Sequence, residues 1–183
     1  MRYLISIGGA SGSLYGIRLL QELNKKKLET YLIVSEEAKR IIQSETTYTY
    51  NRLKTQATVV YDNDDLYAGP ASGSFPLDGM IIIPCSMKTL SAIAHGFGDT
   101  LTSRAASCCL KEGRKVILVP RETPLDLPAI KNMLAAKESG AIILPAMPAF
   151  YYKPERIDDF IDFIVGKVLD QLGLQHTLFK RWK

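Results

Sequence analysis

The sequence predicts an α/β protein, an open parallel sheet with helices on both faces, from three observations. Short apolar runs alternate with stretches of helical periodicity along nearly the whole chain. Several of those runs, Met80 to Pro84 and Lys115 to Val119 above all, are apolar over successive positions, as strands covered on both faces must be. Strand-then-helix order repeated in this way fits right-handed crossovers in one parallel sheet.

The elements follow in order. Tyr3 to Ile7 is a run of strand formers, closed by the turn Gly8-Gly9-Ala10-Ser11-Gly12, after which Leu14, Ile17, Leu20 and Leu23 take up helical spacing. Thr30 to Val34 is the second strand, Ser35 is placed to cap a helix opening with Glu36 and Glu37, and Ile41 and Ile42 mark its apolar face. Residues 46 to 77 are less regular. Thr58 to Tyr61 reads as a strand, followed by Asp62, Asp64 and Asp65 and by the small-residue loop 70–74, so the stretch is expected to carry site loops rather than to link domains. After the Met80 strand, Ser86 heads a helix through Ala94, and a second helix covers Leu101 to Lys111. The Lys115 strand, a helix over Asp126 to Glu138, a strand over Ala141 to Leu144 and an amphipathic helix from Glu155 to Leu172, ending at Gly173, complete the chain.

The chain has 183 residues, which at roughly 150 residues per domain predicts one domain, residues 1 to 183. At 46% hydrophobic and 23% charged residues it is of ordinary globular composition, which excludes disordered and collagen-like classes. The net charge of +4 is dispersed apart from Lys25-Lys26-Lys27 and the tail Lys180-Arg181-Trp182-Lys183, so no nucleic acid is expected. No apolar run approaches the 18 or so residues of a membrane span, and none resembles a secretory signal, so no membrane association and a cytoplasmic location are expected. Cys85, Cys108 and Cys109 form no C-x-x-C pair, which fits reduced thiols and offers no metal ligand set.

In parallel α/β sheets ligands bind beyond the carboxyl ends of the strands, where helix N-termini favour an anion. GGASGS after the first strand is neither a dinucleotide G-x-G-x-x-G nor a P-loop, and it is open between a tight turn and an anion loop. Ser35 and Ser86 serve as helix caps with or without a ligand. Arg121 and Glu122 directly follow a buried strand, where they either pair with each other or serve a ligand, since an unpaired buried charge is costly. Tyr151, between proline-bearing turns, packs or binds. Cys85 at a helix start is a nucleophile or a filler of a small buried space. No serine triad is present. Residue chemistry alone leads to an α/β protein holding a phosphorylated organic cofactor or substrate through serine, backbone and cationic donors.

Longer motifs carry the reading further. Gly9-Ala10-Ser11-Gly12 with Tyr15-Gly16, Ser44-Glu45-Thr46, Pro70-Ala71-Ser72-Gly73-Ser74, the run PCSMKTLSAIA from Pro84, Arg104-Ala105-Ala106, Leu110-Lys111-Glu112, LVPRETPL from Leu118, Pro148-Ala149-Phe150-Tyr151 and Arg181-Trp182 together resemble the UbiX/Pad family of flavin prenyltransferases, in order and over almost the whole chain. The resemblance implies a flavodoxin/Rossmann-like fold, FMN, a homo-dodecamer with an active site shared between subunits, and no metal. It implies transfer of a dimethylallyl group from dimethylallyl phosphate, or the pyrophosphate, to reduced FMN. The product, prenylated FMN, would serve a UbiD-type decarboxylase.

By the same resemblance Gly9, Ala10, Ser11, Ser35, Ser86, Thr89, Ser91 and Arg104 would bind FMN, with Ser11 beside the flavin's central ring. Lys111, Arg121 and Tyr151 would hold the prenyl phosphate, helped by Lys167, with Glu122 supporting Arg121 or the prenyl end of the site and Trp182 near the prenyl chain. Glu45 would act in proton transfer, to the leaving phosphate or in the later ring closure. The family's arginine in the last helix is Lys167 here, its Asn-Leu-Ile is Thr100-Leu101-Thr102, its Arg-Ala-Ala-Asp ends in Ser107, its Glu-Arg-Arg has Gly113 at the centre, and a tryptophan of some members is Leu66. An FMN-dependent cysteine decarboxylase would need a histidine early in the chain, which neither His95 nor His176 supplies. A non-catalytic flavin carrier is disfavoured by the presence of Glu45 and Lys111.

Overall fold

The computed structural model describes residues 1–182, so Lys183, the last residue of the basic tail, lies outside it. The six strands are β1 (Arg2–Ile7), β2 (Glu29–Val34), β3 (Val59–Tyr61), β4 (Gly79–Cys85), β5 (Lys115–Pro120) and β6 (Ile142–Ile143). All pair in parallel, in the order β3-β2-β1-β4-β5-β6. The chain therefore winds outward one way from β1 and the other way from β4. Their junction is the switch point at which such sheets open a crevice for ligands.

Helices α1 (Ser13–Lys25), α2 (Glu36–Glu45), α4 (Met87–Ala94), α5 (Leu101–Lys111), α6 (Leu127–Glu138) and α7 (Ile157–Leu172) sit close to the expected spans. The short α3 (Tyr50–Lys54) was not expected, because five residues with one buried position, Leu53, carry no periodicity to read. The strand expected over Ala141 to Leu144 pairs only at Ile142 and Ile143. The last helix starts two residues late because the Asp159 carboxylate accepts from the Glu155 and Arg156 N–H groups and sets the cap there. Lys25 closes α1, and Lys27 takes a positive φ of 55° at the turn out of it, so the lysine triplet is a helix terminus.

Strand alternation sorts the core into two layers. Tyr3, Ile5 and Ile7 of β1, with Ile81, Ile83, Ile117 and Val119, pack beneath α1 and α7. Leu4, Met80, Ile82, Val116 and Leu118 pack on the opposite face beneath α4, α5 and α6. Ser6 is the exception in the second row: buried and polar, it needs a partner, and it finds Thr102 of α5. On α6, Leu127, Ile130 and Leu134 form an i, i+3, i+7 stripe that stays more than half exposed.

Candidate functional site

The crevice between β1 and β4 is built from close backbone approaches. The Gly8 N–H donates to the Pro84 carbonyl at 3.1 Å, and a Cβ added at Gly8 would sit 2.7 Å from that oxygen. One added at Gly9 would sit 2.8 Å from Cβ of Glu37. Only glycine lets this loop lie against α2 and the end of β4. The Ser35 Oγ accepts from the Ala38 N–H at 3.1 Å and caps α2, while the Ser86 Oγ accepts from the Thr89 N–H at 3.2 Å and caps α4.

Between these caps and the start of α5 opens a cavity of about 500 Å³. Of the residues expected to bind cofactor, Gly9, Ser35, Ser86, Thr89 and Ser91 line it. Ala10 is buried and Ser11 exposed in the loop after β1, and neither lines the cavity. Sequence reasoning missed Ser6, Asn63, Lys88, His95, Asp99, Thr100, Thr102 and Ser103 on the same walls. The cap pattern of Thr100 with Ser103 was the readable signal for α5's contribution, since each side chain bonds the other's backbone N–H. Three helix N-termini thus face one cavity, an arrangement suited to an anion with its charge spread over several oxygens. Two carboxylates share it. Glu37 is held below the usual carboxylate range by its own backbone N–H, working against burial and helped by Ser35, Lys88 and Arg40. Asp99 also faces the cavity.

A second group gathers at the loop after β1. The Glu45 Oε2 accepts from the Gly12 N–H at 2.9 Å and lies 3.5 Å from the Ser13 hydroxyl. Burial pushes the Glu45 carboxyl up, but hydrogen bonds from Ser11 and from the Gly12 and Ser13 backbone, with the Arg121 charge, outweigh it and hold the group below its ordinary 4.5. Arg121 leaves β5 with its N–H donating to the Cys85 carbonyl at 3.3 Å. Its Nε is buried and, alone among buried side-chain N and O atoms of the described residues, has no hydrogen-bond partner. Glu122 makes no ion pair with it; its Oε1 accepts from the Thr123 N–H instead. Burial raises the Tyr15 hydroxyl, with the Arg121 charge opposing. Cys85 is fully buried and its thiol is pushed up to about 12 by desolvation, so it fills space and is no nucleophile.

The aromatic group lies at the C-terminal helix and tail. Tyr151 meets Trp182 edge to face at 5.2 Å, Tyr152 at 5.6 Å and Phe163 at 6.1 Å. Arg181 grips both oxygens of Asp170 at 2.7 and 3.2 Å, His176 meets the same carboxylate at 3.1 Å, and Lys167 stands 3.6 Å away, so one acid docks the tail on α7.

Two expected residues stand apart. The Arg104 Nε donates to the Ala71 carbonyl at 3.0 Å, away from the cavity. Lys111 ends α5, eleven residues or about 16 Å from the end that faces the cavity, beside the loop at Gly73 and near the start of β5. Within one chain it is at the opposite edge of the sheet from Glu45 and Arg121.

The family model described as Flavoprotein matches residues 1–169. A "Flavin prenyltransferase UbiX" of Thauera aromatica is 50% identical over all of this chain and 94% of its own length, and one of Methanocaldococcus jannaschii is 47% identical over all of this chain and 98% of its own. Among solved structures, a dodecameric FMN-dependent UbiX-like decarboxylase of Escherichia coli O157:H7 matches with a TM-score of 0.97 at 45% identity, covering both chains fully. AnUbiX (PadA1) in complex with FMN and dimethylallyl pyrophosphate matches equally well in TM-score at 44% identity, covering all of this chain and 97% of that one. The peptidyl-cysteine decarboxylase EpiD, at 19% identity and a TM-score of 0.67, shares the fold alone.

Proposed function

The chain belongs to the flavoprotein family and within it to the UbiX flavin prenyltransferases, and on that premise we propose that it joins a dimethylallyl group from dimethylallyl phosphate or pyrophosphate to reduced FMN. The products are prenylated FMN, the cofactor of a UbiD-type decarboxylase, and the released phosphate or pyrophosphate. The observation that carries this reading is the buried Nε of Arg121, without a hydrogen-bond partner among the described residues, on a guanidinium whose charge acts on Glu45 and Tyr15. A buried donor without an acceptor is a standing cost that a bound anion removes.

The residues fit FMN at the cavity. Ser35, Ser86, Thr89 and the N-termini of α2, α4 and α5 suit its phosphate, and the glycines let the loop after β1 pack against α2 and β4 at the cavity's edge. Bound reduced FMN supplies the electron-rich ring system that accepts the prenyl group. Arg121 holds the prenyl phosphate and stabilises charge on it as it leaves. Tyr151 and Trp182 offer an aromatic wall to the cationic allyl fragment, and Lys167 adds charge from α7. Glu45, ionised at neutral pH, acts as a base at Oε2 and takes up the proton lost when the ring closes; in that state it has no proton to give the leaving phosphate.

Lys111 and Arg104 reach such a site only from a neighbouring copy, which the dodecameric relative supports. The exposed stripe of α6 provides apolar surface for assembly. No helix is long and apolar enough to cross a membrane among the described residues, and we place the chain in the cytoplasm on its three unpaired thiols.

The direct test is anaerobic incubation of the protein with reduced FMN and each donor in turn, followed by mass spectrometry of the extracted flavin. A flavin heavier by one dimethylallyl unit is expected. Bound but unmodified FMN with both donors would instead make the chain a flavin carrier.

A further inference from the structure

The floor of the cavity holds a chain of hydrogen bonds whose direction can be worked out atom by atom. The Thr102 backbone N–H, which can only donate, points at one terminal atom of the Asn63 side chain at 3.2 Å, so that atom is the carbonyl Oδ1. The Thr102 hydroxyl lies 2.7 Å from the same Oδ1 and must donate to it as well. Its single proton being so used, Thr102 can only accept from Ser6, whose hydroxyl is 2.8 Å away. Ser6 and Thr102 are 1% and 5% exposed, so water does not compete for these bonds. The Asn63 amide is therefore fixed in one orientation. Its backbone carbonyl is occupied too, accepting from the Leu101 N–H at 2.7 Å. No described residue offers an acceptor to Nδ2, and Asn63 lines the cavity.

We infer that Asn63 is a flavin-binding residue whose Nδ2 donates to the phosphate of FMN, held in that orientation by Thr102 and, through it, by Ser6. The inference rests on the flavin reading of the cavity given above. The phosphate is the group selected because Asn63 takes two N–H bonds from the first turn of α5, which polarises its amide and extends the positive end of that helix to Nδ2. Ser35, Ser86, Thr89 and Lys88, all able to donate to an anion, line the same cavity. Glu37 and Asp99 are the opposing charges there. A purely architectural Asn63, tying the loop after β3 to α5, would use its carbonyls alone and would be indifferent to what fills the cavity.

The two readings separate in equilibrium titrations of oxidised FMN and of riboflavin, which lacks the phosphate, followed by flavin fluorescence. For Asn63→Ala the FMN Kd is expected to rise about 10- to 100-fold, as for loss of a hydrogen bond to a charged group, with the riboflavin Kd within about threefold of wild type. Thr102→Val, which removes the hydroxyl bond to Oδ1 but keeps the backbone one, loosens the amide and is expected to raise the FMN Kd by a smaller factor in the same selective way. Thermal melts report folding. If Asn63→Ala does not fold, Asn63→Asp keeps the acceptor for α5 and takes its place, with an even larger selective loss expected. Equal losses for FMN and riboflavin, or an unchanged FMN Kd, would overturn the assignment. A wild-type protein that binds neither flavin would overturn the flavin reading itself, a result distinct from both.

Discussion

The two ends of the site are made of different material. The cavity end uses backbone N–H groups, helix caps and hydroxyls, all supplied by segments that follow β1, β2, β3 and β4, and it is assembled within one chain. The proposed reactive end uses long side chains, Glu45 at a helix terminus, Arg121 at a strand end, Tyr151 in the loop before α7, Lys167 within α7 and Trp182 in the tail, and within one chain Lys111 stands apart from it. Backbone donors are placed by the fold itself and lose little entropy on binding, so they suit a flavin that must stay in one position while its ring system is modified. Charged side chains must converge on an anion that arrives and leaves, and their placement is left to tertiary and quaternary contacts.

That contrast can be broken by single changes. The largest effect is expected at Glu45. Glu45→Gln preserves size and FMN binding while removing the base, and turnover is expected to fall about 10²- to 10⁴-fold, measured by single-turnover prenylation with the FMN Kd as control. Its pH dependence has a defined sign. The folded-state value lies below the ordinary 4.5, so the stability the carboxylate contributes is present above that value and is lost as pH falls through the lower one. A loss of activity at neutral pH must come from another group.

A smaller and more selective effect is expected at Arg121. Arg121→Ala removes the anion's partner, and the KM for dimethylallyl phosphate is expected to rise about 10- to 100-fold while FMN binding changes little. Because the buried Nε has no hydrogen-bond partner among the described residues, Arg121→Met is expected to hold or raise the thermal midpoint. Equal weakening of flavin and prenyl-phosphate binding would show that the two ends are not separate.

The cavity end was the more legible of the two. Ser35 and Ser86 fall where strand-then-cap patterns put them, because a cap is a local event that nearby residues dictate, whereas Gly9, Thr89 and Ser91 were expected there only from the family resemblance. Asn63 and Thr102 escaped because their meeting joins positions 39 apart, and neither carries a local signature of it. Arg121 was recognisable as a charge after a buried strand, but whether it pairs with Glu122 depends on side-chain direction, which periodicity does not report. The α3 helix was hidden by its brevity, and the separation of Lys111 from the motif residues becomes visible only once α5 is seen running back across the sheet.

The position of Lys111 has a genetic consequence. If each site borrows this lysine from a neighbour, damage to Lys111 and damage to Glu45 fall on different chains of the same site. A Lys111→Ala chain and a Glu45→Gln chain, each inactive by itself, are expected to rescue one another when co-expressed. Random mixing puts both intact residues in about a quarter of the sites. An enzyme whose every site lay within one chain would recover nothing from that mixture.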